Sequence, residues 1–243
     1  MKKTIIIIQA RCSSTRLPNK VLKKLHNKSV LTHIIERVRY CEHVQNIIVA
    51  TTNKEIDDVI IEECIKTDIQ YFRGSEEDVL ERYYHAAKQY QTEYVVRLTA
   101  DNLFTDIESL NMLIQECSNT NYDYMKTHHF LPLGTGCEMM TFQALERAFV
   151  ESRKPTDREH VTPYIYQHPS LFRIGEQKYC SLKNDCSKIR LTLDTLEDWD
   201  LCSRIFDALY CGVPLAINEI INYLSDHPEL LAINAKIVQV TVA

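Results

Sequence analysis

The sequence contains only five glycines among 243 residues, and none of them lies in the stretch 9–20, which follows the first predicted strand. The P-loop and the dinucleotide-binding fingerprint both need glycines at this point, because the backbone must approach phosphate groups closely. The sequence therefore excludes a P-loop and argues against a nicotinamide-dependent redox enzyme.

Excess positive charge and long apolar runs are missing too. Lys and Arg total 28 against 33 Asp and Glu, a net charge of −5. Sequence-independent nucleic-acid binding needs a basic face, so we expect no nucleic-acid partner. No window approaches the roughly 18 to 20 apolar residues of a membrane span, and residues 5–8 are too short a core for a secretory signal. We expect a cytoplasmic protein with no membrane span.

The nine cysteines show no Cys-x-x-Cys pair and no regular spacing. An odd number of scattered cysteines indicates reduced, mostly buried thiols rather than a disulfide framework or a zinc site. With 45% hydrophobic and 25% charged residues, the composition is that of an ordinary globular protein.

Short β-branched runs alternate with amphipathic segments along the first half of the chain. Ser29 and Ser75 are each predicted to cap the helix that follows them. Such alternation predicts an α/β fold with an open, doubly wound, mostly parallel sheet. The predicted strands are 4–8, 47–50, 69–72 and 94–98.

The regular alternation ends near residue 121. Residues 122–188 read as a mixed insertion, either a substrate lid or a dimer arm. A further strand is predicted at 189–193, followed by a helix that Thr195 caps and that runs to about Tyr210.

In doubly wound sheets the ligand lies beside the loops that follow the strands. The loop 9–20 carries Arg11, Arg16 and Lys20 with three small hydroxyl residues, an arrangement that favours polyphosphate binding. The alternative is a solvated basic loop. Asp101 and Asp194 end two predicted strands, and their carboxylates would suit Mg²⁺ that bridges nucleotide phosphates. Alternatively, each caps a turn or a helix.

Six stretches of the sequence form recognisable motifs. The most specific is Gln-Ala-Arg-x-x-Ser-Thr-Arg-Leu-Pro-x-Lys-Val-Leu at residues 9–22. The others are Ala-Thr-Thr at 50–52, the stretch 72–83, Arg-Leu-Thr-Ala-Asp at 97–101, Arg-Glu-His-Val-Thr at 158–162 and the stretch 190–198. Together they closely resemble the cytidylyltransferases that activate acidic sugars, namely the CMP-Kdo and CMP-sialate synthetases, and in particular their spore-coat polysaccharide branch of SpsF type.

The resemblance implies a nucleotide-diphospho-sugar transferase fold, which is Rossmann-like and GT-A-like. It implies one domain, 1–243, with a CTP-binding half (1–120), an acceptor and dimerisation insertion (121–188) and a return to the core sheet (189–243). It also implies CMP transfer from CTP to a hydroxyl of an acidic sugar, a ulosonic or nonulosonic acid, with release of pyrophosphate. A homodimer is expected.

By the same resemblance, Arg11, Arg16 and Lys20 neutralise the triphosphate, and Asp101 and Asp194 hold Mg²⁺. The catalytic set is Arg11, Arg16, Lys20 and Asp101. The implied nucleotide contacts are Gln9, Ala10, Arg11, Ser14, Arg16, Lys20, Thr51, Arg73, Ser75 and Asp78. The implied acceptor contacts are Glu138, Arg158 and His160.

The sequence departs from the family at three places. Ser13 and Asn19 stand where the family usually has glycine, and residues 102–106 replace its common Cys-Pro-Leu-Ile-Asp. Two other functions therefore stay open. A catalytically impaired nucleotide-binding homologue would explain the departures, whereas a nucleotide-sugar-dependent glycosyltransferase would normally show Asp-x-Asp at residue 101.

Overall fold

The computed structural model describes residues 2–239. Seven strands form one sheet in the order β5-β4-β1-β6-β8-β7-β9, and β2 and β3 form a small hairpin. The strands are β1 (Thr4–Gln9), β2 (Lys24–Leu25), β3 (Lys28–Ser29), β4 (Asn46–Thr52), β5 (Gln70–Gly74), β6 (Tyr94–Thr99), β7 (Tyr124–Lys126), β8 (Glu138–Thr141) and β9 (Ile174–Glu176).

Helices cover both faces of the sheet. They are α1 (Val30–Val38), α2 (Asp58–Lys66), α3 (Val79–Gln89), α4 (Ile107–Asn119), α5 (Phe142–Glu151), α6 (Pro155–His160), α7 (Pro163–Tyr166), α8 (Leu196–Leu209), α9 (Ile217–Asp226) and α10 (Pro228–Leu231). No helix within residues 2–239 has the length and apolarity needed to cross a bilayer.

The alternation of side chains along β1 divides the core in two. Ile6 and Ile8 pack in the cluster that includes α1, α2, α4, α8 and α9, whereas Ile5 and Ile7 pack in the cluster that includes α3 and α5. A strand buried on both faces needs an unbroken apolar run, and the four isoleucines supply it. The doubly wound α/β fold is confirmed.

The parallel part of the sheet confirms the four strands that the sequence predicts. Strands β5, β4, β1 and β6 run parallel, while β8 pairs antiparallel with both β6 and β7. The stretch 121–188 supplies β7, β8 and β9 to this same sheet, so it extends the core.

Two local predictions are wrong. Asp78 caps α3, because its carboxylate accepts the N–H of Glu81, whereas the Ser75 hydroxyl accepts the N–H of Asp78. Residues 189–193 form no strand, although Leu191 and Leu193 are buried as a strand would bury them. Within residues 2–239 this segment makes one isolated bridge, between Arg190 and Leu133. Its apolar residues are therefore explained by burial alone, without pairing to a neighbouring strand.

The backbone at Gly134 lies directly against the segment 189–193. Its φ is +90°, and a Cβ added there would lie 2.5 Å from the backbone nitrogen of Thr192. Gly212 also has a positive φ, +99°, but a Cβ there meets nothing within 4 Å. Gly134 therefore combines a strained backbone with a close contact, whereas Gly212 has the strained backbone alone.

We expect Gly134→Ala to lower the free energy of unfolding by at least about 2 kcal/mol more than Gly212→Ala, because only the first adds overpacking to the strain of about 1–2 kcal/mol. Urea unfolding of both variants measures the difference. Equal losses would show that the backbone at Thr192 yields to the added methyl group.

Candidate active site

A cavity of about 880 Å³ opens at the carboxyl ends of β1 and β6, where the topology rule places a ligand. Gln9, Ala10, Arg11 and Arg16 line it, together with Asp101 and Asp194. Segment 126–138 and α6 supply most of the remaining lining. The cavity therefore joins the first loop to the region that the sequence assigns to the acceptor.

Strand register decides which side chains reach this cavity. Gln9 continues the face of Ile5 and Ile7, and Arg97 pairs in register with Ile7 on the same face. Thr51 follows Ala50, which packs on this face, so its side chain points to the other one. Thr51 is fully buried and does not line the cavity, in contrast to its expected nucleotide contact.

Buried residues anchor the loop 9–20 to the core. Cys12 is buried, and its N–H donates to the Asp57 carboxylate over 2.7 Å, while Leu17 packs into the core. Asn19 adopts a left-handed conformation with φ 53°, which asparagine tolerates better than most residues. These contacts leave the side chains of Arg11 and Arg16 exposed at the cavity.

The serine at position 13 does not strain this loop, since it is not among the positive-φ residues of the described chain. Its hydroxyl donates to Glu76 over 2.7 Å. The third departure from the family, residues 102–106, is mostly internal: Leu103 and Phe104 are fully buried. Asn102 alone of that stretch lines the cavity.

Lys20 joins the two acidic residues of the site. Its ammonium group donates to Asp101 Oδ2 and to Asp194 Oδ1, each over 2.9 Å. Burial alone would lower the pKa of Lys20, but the charges of Asp101 and Asp194 outweigh it and the pKa is raised. Burial likewise opposes ionisation of Asp101, yet the Lys20 charge and the Thr99 hydroxyl lower its pKa. Lys20 and Asp101 are therefore both charged at neutral pH.

Asp194 is held in place by the start of α8. Arg190 donates to Asp194 Oδ2 over 3.0 Å and to both carboxylate oxygens of the fully buried Asp198. Asp198 also accepts the N–H groups of Asp194 and Thr195, and Thr195 caps α8 as predicted. Arg16 adds a third cation, 3.4 Å from Asp194.

A second ion pair lies at the floor of the cavity, between Arg97 Nη1 and Glu138 Oε2 at 2.7 Å. The Tyr124 and Thr162 hydroxyls also donate to Glu138. Burial, and then the Glu138 charge, raise the pKa of Tyr124 well above its usual value. Glu138, expected to contact the acceptor, thus faces the cavity from a fixed position.

The structure separates the other expected residues into two groups. His160 lines the cavity, whereas Arg158 pairs with Asp78 and donates to the Phe149 carbonyl. Arg73 donates to the Thr52 and Lys54 carbonyls and pairs with Asp58. The side chains of Arg73, Ser75, Asp78, Ser14 and Arg158 are absent from the cavity lining.

Sequence reasoning missed Arg82 and Arg97, which both line the cavity. Both stand within motifs of the resemblance, but Arg82 falls inside the apolar stripe of α3 and Arg97 inside a buried strand. A charged residue within such an apolar pattern was the available signal.

Segment 126–138 contributes a basic group, Lys126, His128 and His129, to the cavity lining. His129 Nδ1 is 2.6 Å from a Glu176 carboxylate oxygen, and Lys126 Nζ is 3.3 Å from the other. The ligand atoms of His128, His129 and Glu176 lie within 4.8 Å of one another. His128 Nδ1 accepts the N–H of Phe130, and Lys126 forms an ion pair with Glu176. The polar groups of this cluster therefore already have partners within the protein.

We expect Asp198→Asn to lower the free energy of unfolding by about 3–5 kcal/mol, since it leaves Arg190 buried beside a neutral group. Urea unfolding measures this loss, with the exposed Asp200→Asn as the matched control. A loss below about 1 kcal/mol would show that Arg190 is held by its other partners.

The same carboxylate predicts acid sensitivity. Burial opposes the charge of Asp198, but hydrogen bonds from Arg190 and Asn234 dominate and lower its pKa below the ordinary 3.8. Its contribution to stability is therefore complete above pH 3.8 and disappears as the pH falls through the folded-state pKa. Urea unfolding of the parent at pH 6 and below pH 3.8 should show this loss, and no loss would contradict the assignment.

Three comparisons with known proteins identify what this chain is similar to. A profile of the cytidylyltransferase family matches residues 5–225. The spore coat polysaccharide biosynthesis protein SpsF of Bacillus subtilis is 33% identical over 234 residues, covering 94% of this chain and 97% of SpsF. The 3-deoxy-manno-octulosonate cytidylyltransferase of Bartonella henselae is 25% identical over 237 residues, covering 88% of this chain and 93% of that enzyme.

Among solved structures, a cytidylyltransferase from Leptospira borgpetersenii is 28% identical and superposes with a TM-score of 0.89, covering 99% of this chain and 100% of that one. The resemblance that the motifs predict is thus confirmed over nearly the whole chain. The chain belongs to the cytidylyltransferase family, and its activity class is that of a CTP-dependent nucleotidyltransferase.

Proposed function

We propose that this protein transfers CMP from CTP to a hydroxyl group of an acidic sugar of the ulosonic or nonulosonic type, releasing pyrophosphate. The observation that carries the proposal is that Arg11 and Arg16 line a single cavity with Asp101 and Asp194, and that Lys20 pairs with both carboxylates. A triphosphate needs the cations, and a divalent metal beside it needs the carboxylates.

The carboxylates suit Mg²⁺, because both offer hard oxygen donors that already converge on one cation, the Lys20 ammonium. Asp101 and Asp194 would hold the metal. When bound, Mg²⁺ would stabilise negative charge on the phosphate oxygens of the reacting group.

The chain's own residues would then orient the triphosphate of CTP and neutralise its charge. Arg11 and Arg16 bind the triphosphate, and Lys20 moves from the carboxylates to the phosphates that leave as pyrophosphate. Charge stabilisation and positioning supply most of the rate in phosphoryl-type transfers, so the site needs no covalent intermediate. Gln9 and the Ala10 backbone face the same space and complete the nucleotide contacts.

The acceptor would bind across the cavity, against Glu138 and His160, with the basic group at Lys126 receiving its carboxylate. The name of SpsF supports a sugar destined for a polysaccharide, and the name of the Bartonella octulosonate enzyme supports a ulosonic acid as acceptor. Arg158 would act indirectly, by fixing Asp78 at the start of α3. We further propose a cytoplasmic homodimer with contacts in residues 121–188.

The direct test is pyrophosphate release from CTP, UTP, ATP and GTP with Mg²⁺, each against a panel of acidic sugars. We expect release with CTP alone, and only when one acceptor is present. Calorimetry with CTP accompanies the assay. A protein that neither binds CTP nor releases pyrophosphate would refute the proposal.

Within that assay, Asp101→Asn should lower kcat at least about 100-fold, because metal stabilisation of phosphate charge is worth several kcal/mol. The matched control is Asp207→Asn, which removes an exposed carboxylate paired only with His26. An unchanged kcat for Asp101→Asn would remove this residue from the metal site.

Lys20 gives a prediction that needs no turnover. Its ammonium lies where a metal would meet both carboxylates, so Lys20→Met should raise the affinity for Mn²⁺ without nucleotide by at least about tenfold. Calorimetry with Mn²⁺ alone measures this, and Lys24→Met, at an exposed lysine outside the cavity lining, is the control. Unchanged Mn²⁺ binding would show that the carboxylates do not form a metal site together.

A further inference from the structure

Arg82 is a buried cation without an anion. Its side chain belongs to α3 and is 1% exposed, yet no carboxylate within residues 2–239 forms an ion pair with it. Its one hydrogen bond runs from Nη1 to the Ser75 carbonyl over 2.8 Å, and Nε has no partner. Arg97 pairs with Glu138, and Arg190 pairs with Asp194 and Asp198. Arg37 is also buried without an ion pair within residues 2–239, but it lies outside the cavity lining.

The nearest acidic groups are already engaged. Asp57 accepts from the Cys12 N–H and the Thr52 hydroxyl, and Glu76 accepts from Ser13 and pairs with Lys54. Burial lowers the pKa of Arg82, and the positive charge of Arg11 adds to this effect. The Arg82 and Arg11 guanidinium groups thus lie near one another, and neither forms an ion pair within residues 2–239.

An unpaired buried charge costs several kcal/mol, and buried guanidinium groups are ordinarily neutralised by a partner. Retaining one lowers stability unless a ligand supplies the anion. Its position fits that explanation, because Arg82 lines the cavity together with Gln9 and Arg11.

Gly74 holds this arginine in place. A Cβ at Gly74 would lie 3.1 Å from Arg82 Cγ and 3.3 Å from its Cβ, so the end of β5 and the arginine stem are in close contact. The stem of Arg82 therefore has little room to move, and Arg82 itself lines the cavity. Gln9 Oε1 and Arg97 Nε are also buried without partners, and both residues line the same cavity.

We propose that Arg82, together with Arg11, binds a phosphate group of the nucleotide. The proposal deepens the function proposed above and rests on it. Arg11 belongs to the loop of three cations, so the anion that both guanidinium groups reach is a phosphate rather than the acceptor's carboxylate. Arg82 donates through Nε and the unengaged end of its guanidinium group, which provides the two-pronged contact that phosphate prefers.

The test is calorimetry of Arg82→Met with two probes, CTP and inorganic tripolyphosphate. A phosphate contact predicts that both affinities fall by at least about tenfold and by similar factors, since each loses a charge-assisted hydrogen bond. Loss of CTP affinity alone would mean that Arg82 contacts the cytosine, and loss of neither would assign it to the acceptor or to packing. Either of these two results overturns the proposal.

Stability separates a binding role from a structural one. Met keeps the length of the stem but removes the buried charge, so we expect ligand-free Arg82→Met to melt at a temperature no lower than the parent's. A structural arginine would instead give a marked drop. Arg37→Met is the matched control: Arg37 is also buried, donates to the Thr105 carbonyl and lies outside this cavity.

Gly74→Ala supplies a second variant that keeps the charge. The added methyl group displaces the stem of Arg82, so this variant should also weaken CTP and tripolyphosphate together. If the parent itself fails to bind CTP, the proposed function fails; if the parent binds CTP and both variants bind it equally well, only the role of Arg82 fails.

Discussion

Three distant stretches of the chain meet at one ammonium group. Lys20 closes the first loop, Asp101 follows β6 and lies 81 residues away, and Asp194 precedes α8 and lies 174 residues away. Two like-charged carboxylates directed at one point would repel one another, so a cation between them is required for the ligand-free site to form. The remaining polar contacts serve this meeting point: Arg190 and Asp198 orient Asp194, and the Thr99 hydroxyl orients Asp101.

This arrangement explains why so much of the site lies at strand ends and helix starts. The middle of the sheet is largely apolar on both faces, so most charged groups of the site lie where strands stop, and Arg97 within β6 is held by its ion pair with Glu138. At that edge the positive groups outnumber the carboxylates that could neutralise them. Arg11 and Arg82 have no ion-pair partner in the described chain, while Asp194 already contacts Arg16, Lys20 and Arg190. A triphosphate supplies the negative charge that the edge lacks.

Much of this was accessible from the sequence, for physical reasons that also explain the errors. Short β-branched runs that alternate with helical segments predict parallel strands well. A loop that follows a strand and carries three cations is typical of anion binding. Thr51 points to the other face because one step of register decides its direction, which a buried run of β-branched residues does not reveal. The strand predicted at 189–193 is wrong because burial gives the same pattern with or without a neighbouring strand. Arg73 and Asp78 lie outside the cavity lining. A motif marks a segment without saying which of its side chains turn inward, and the nucleotide contacts of both residues stay predictions.

Arg82 and Lys20 represent two different ways of holding a cation for a ligand. Lys20 is fully paired before the ligand arrives, so any contact it makes with a phosphate is offset by the two hydrogen bonds it gives up. Arg82 has no carboxylate to give up, so its contact with a phosphate adds to affinity with little offset, at a cost in the stability of the free protein. On the proposals above, Arg82 therefore contributes mainly to nucleotide affinity. Lys20 contributes mainly to coupling, because the same movement that brings it to the phosphates frees Asp101 and Asp194 for a metal.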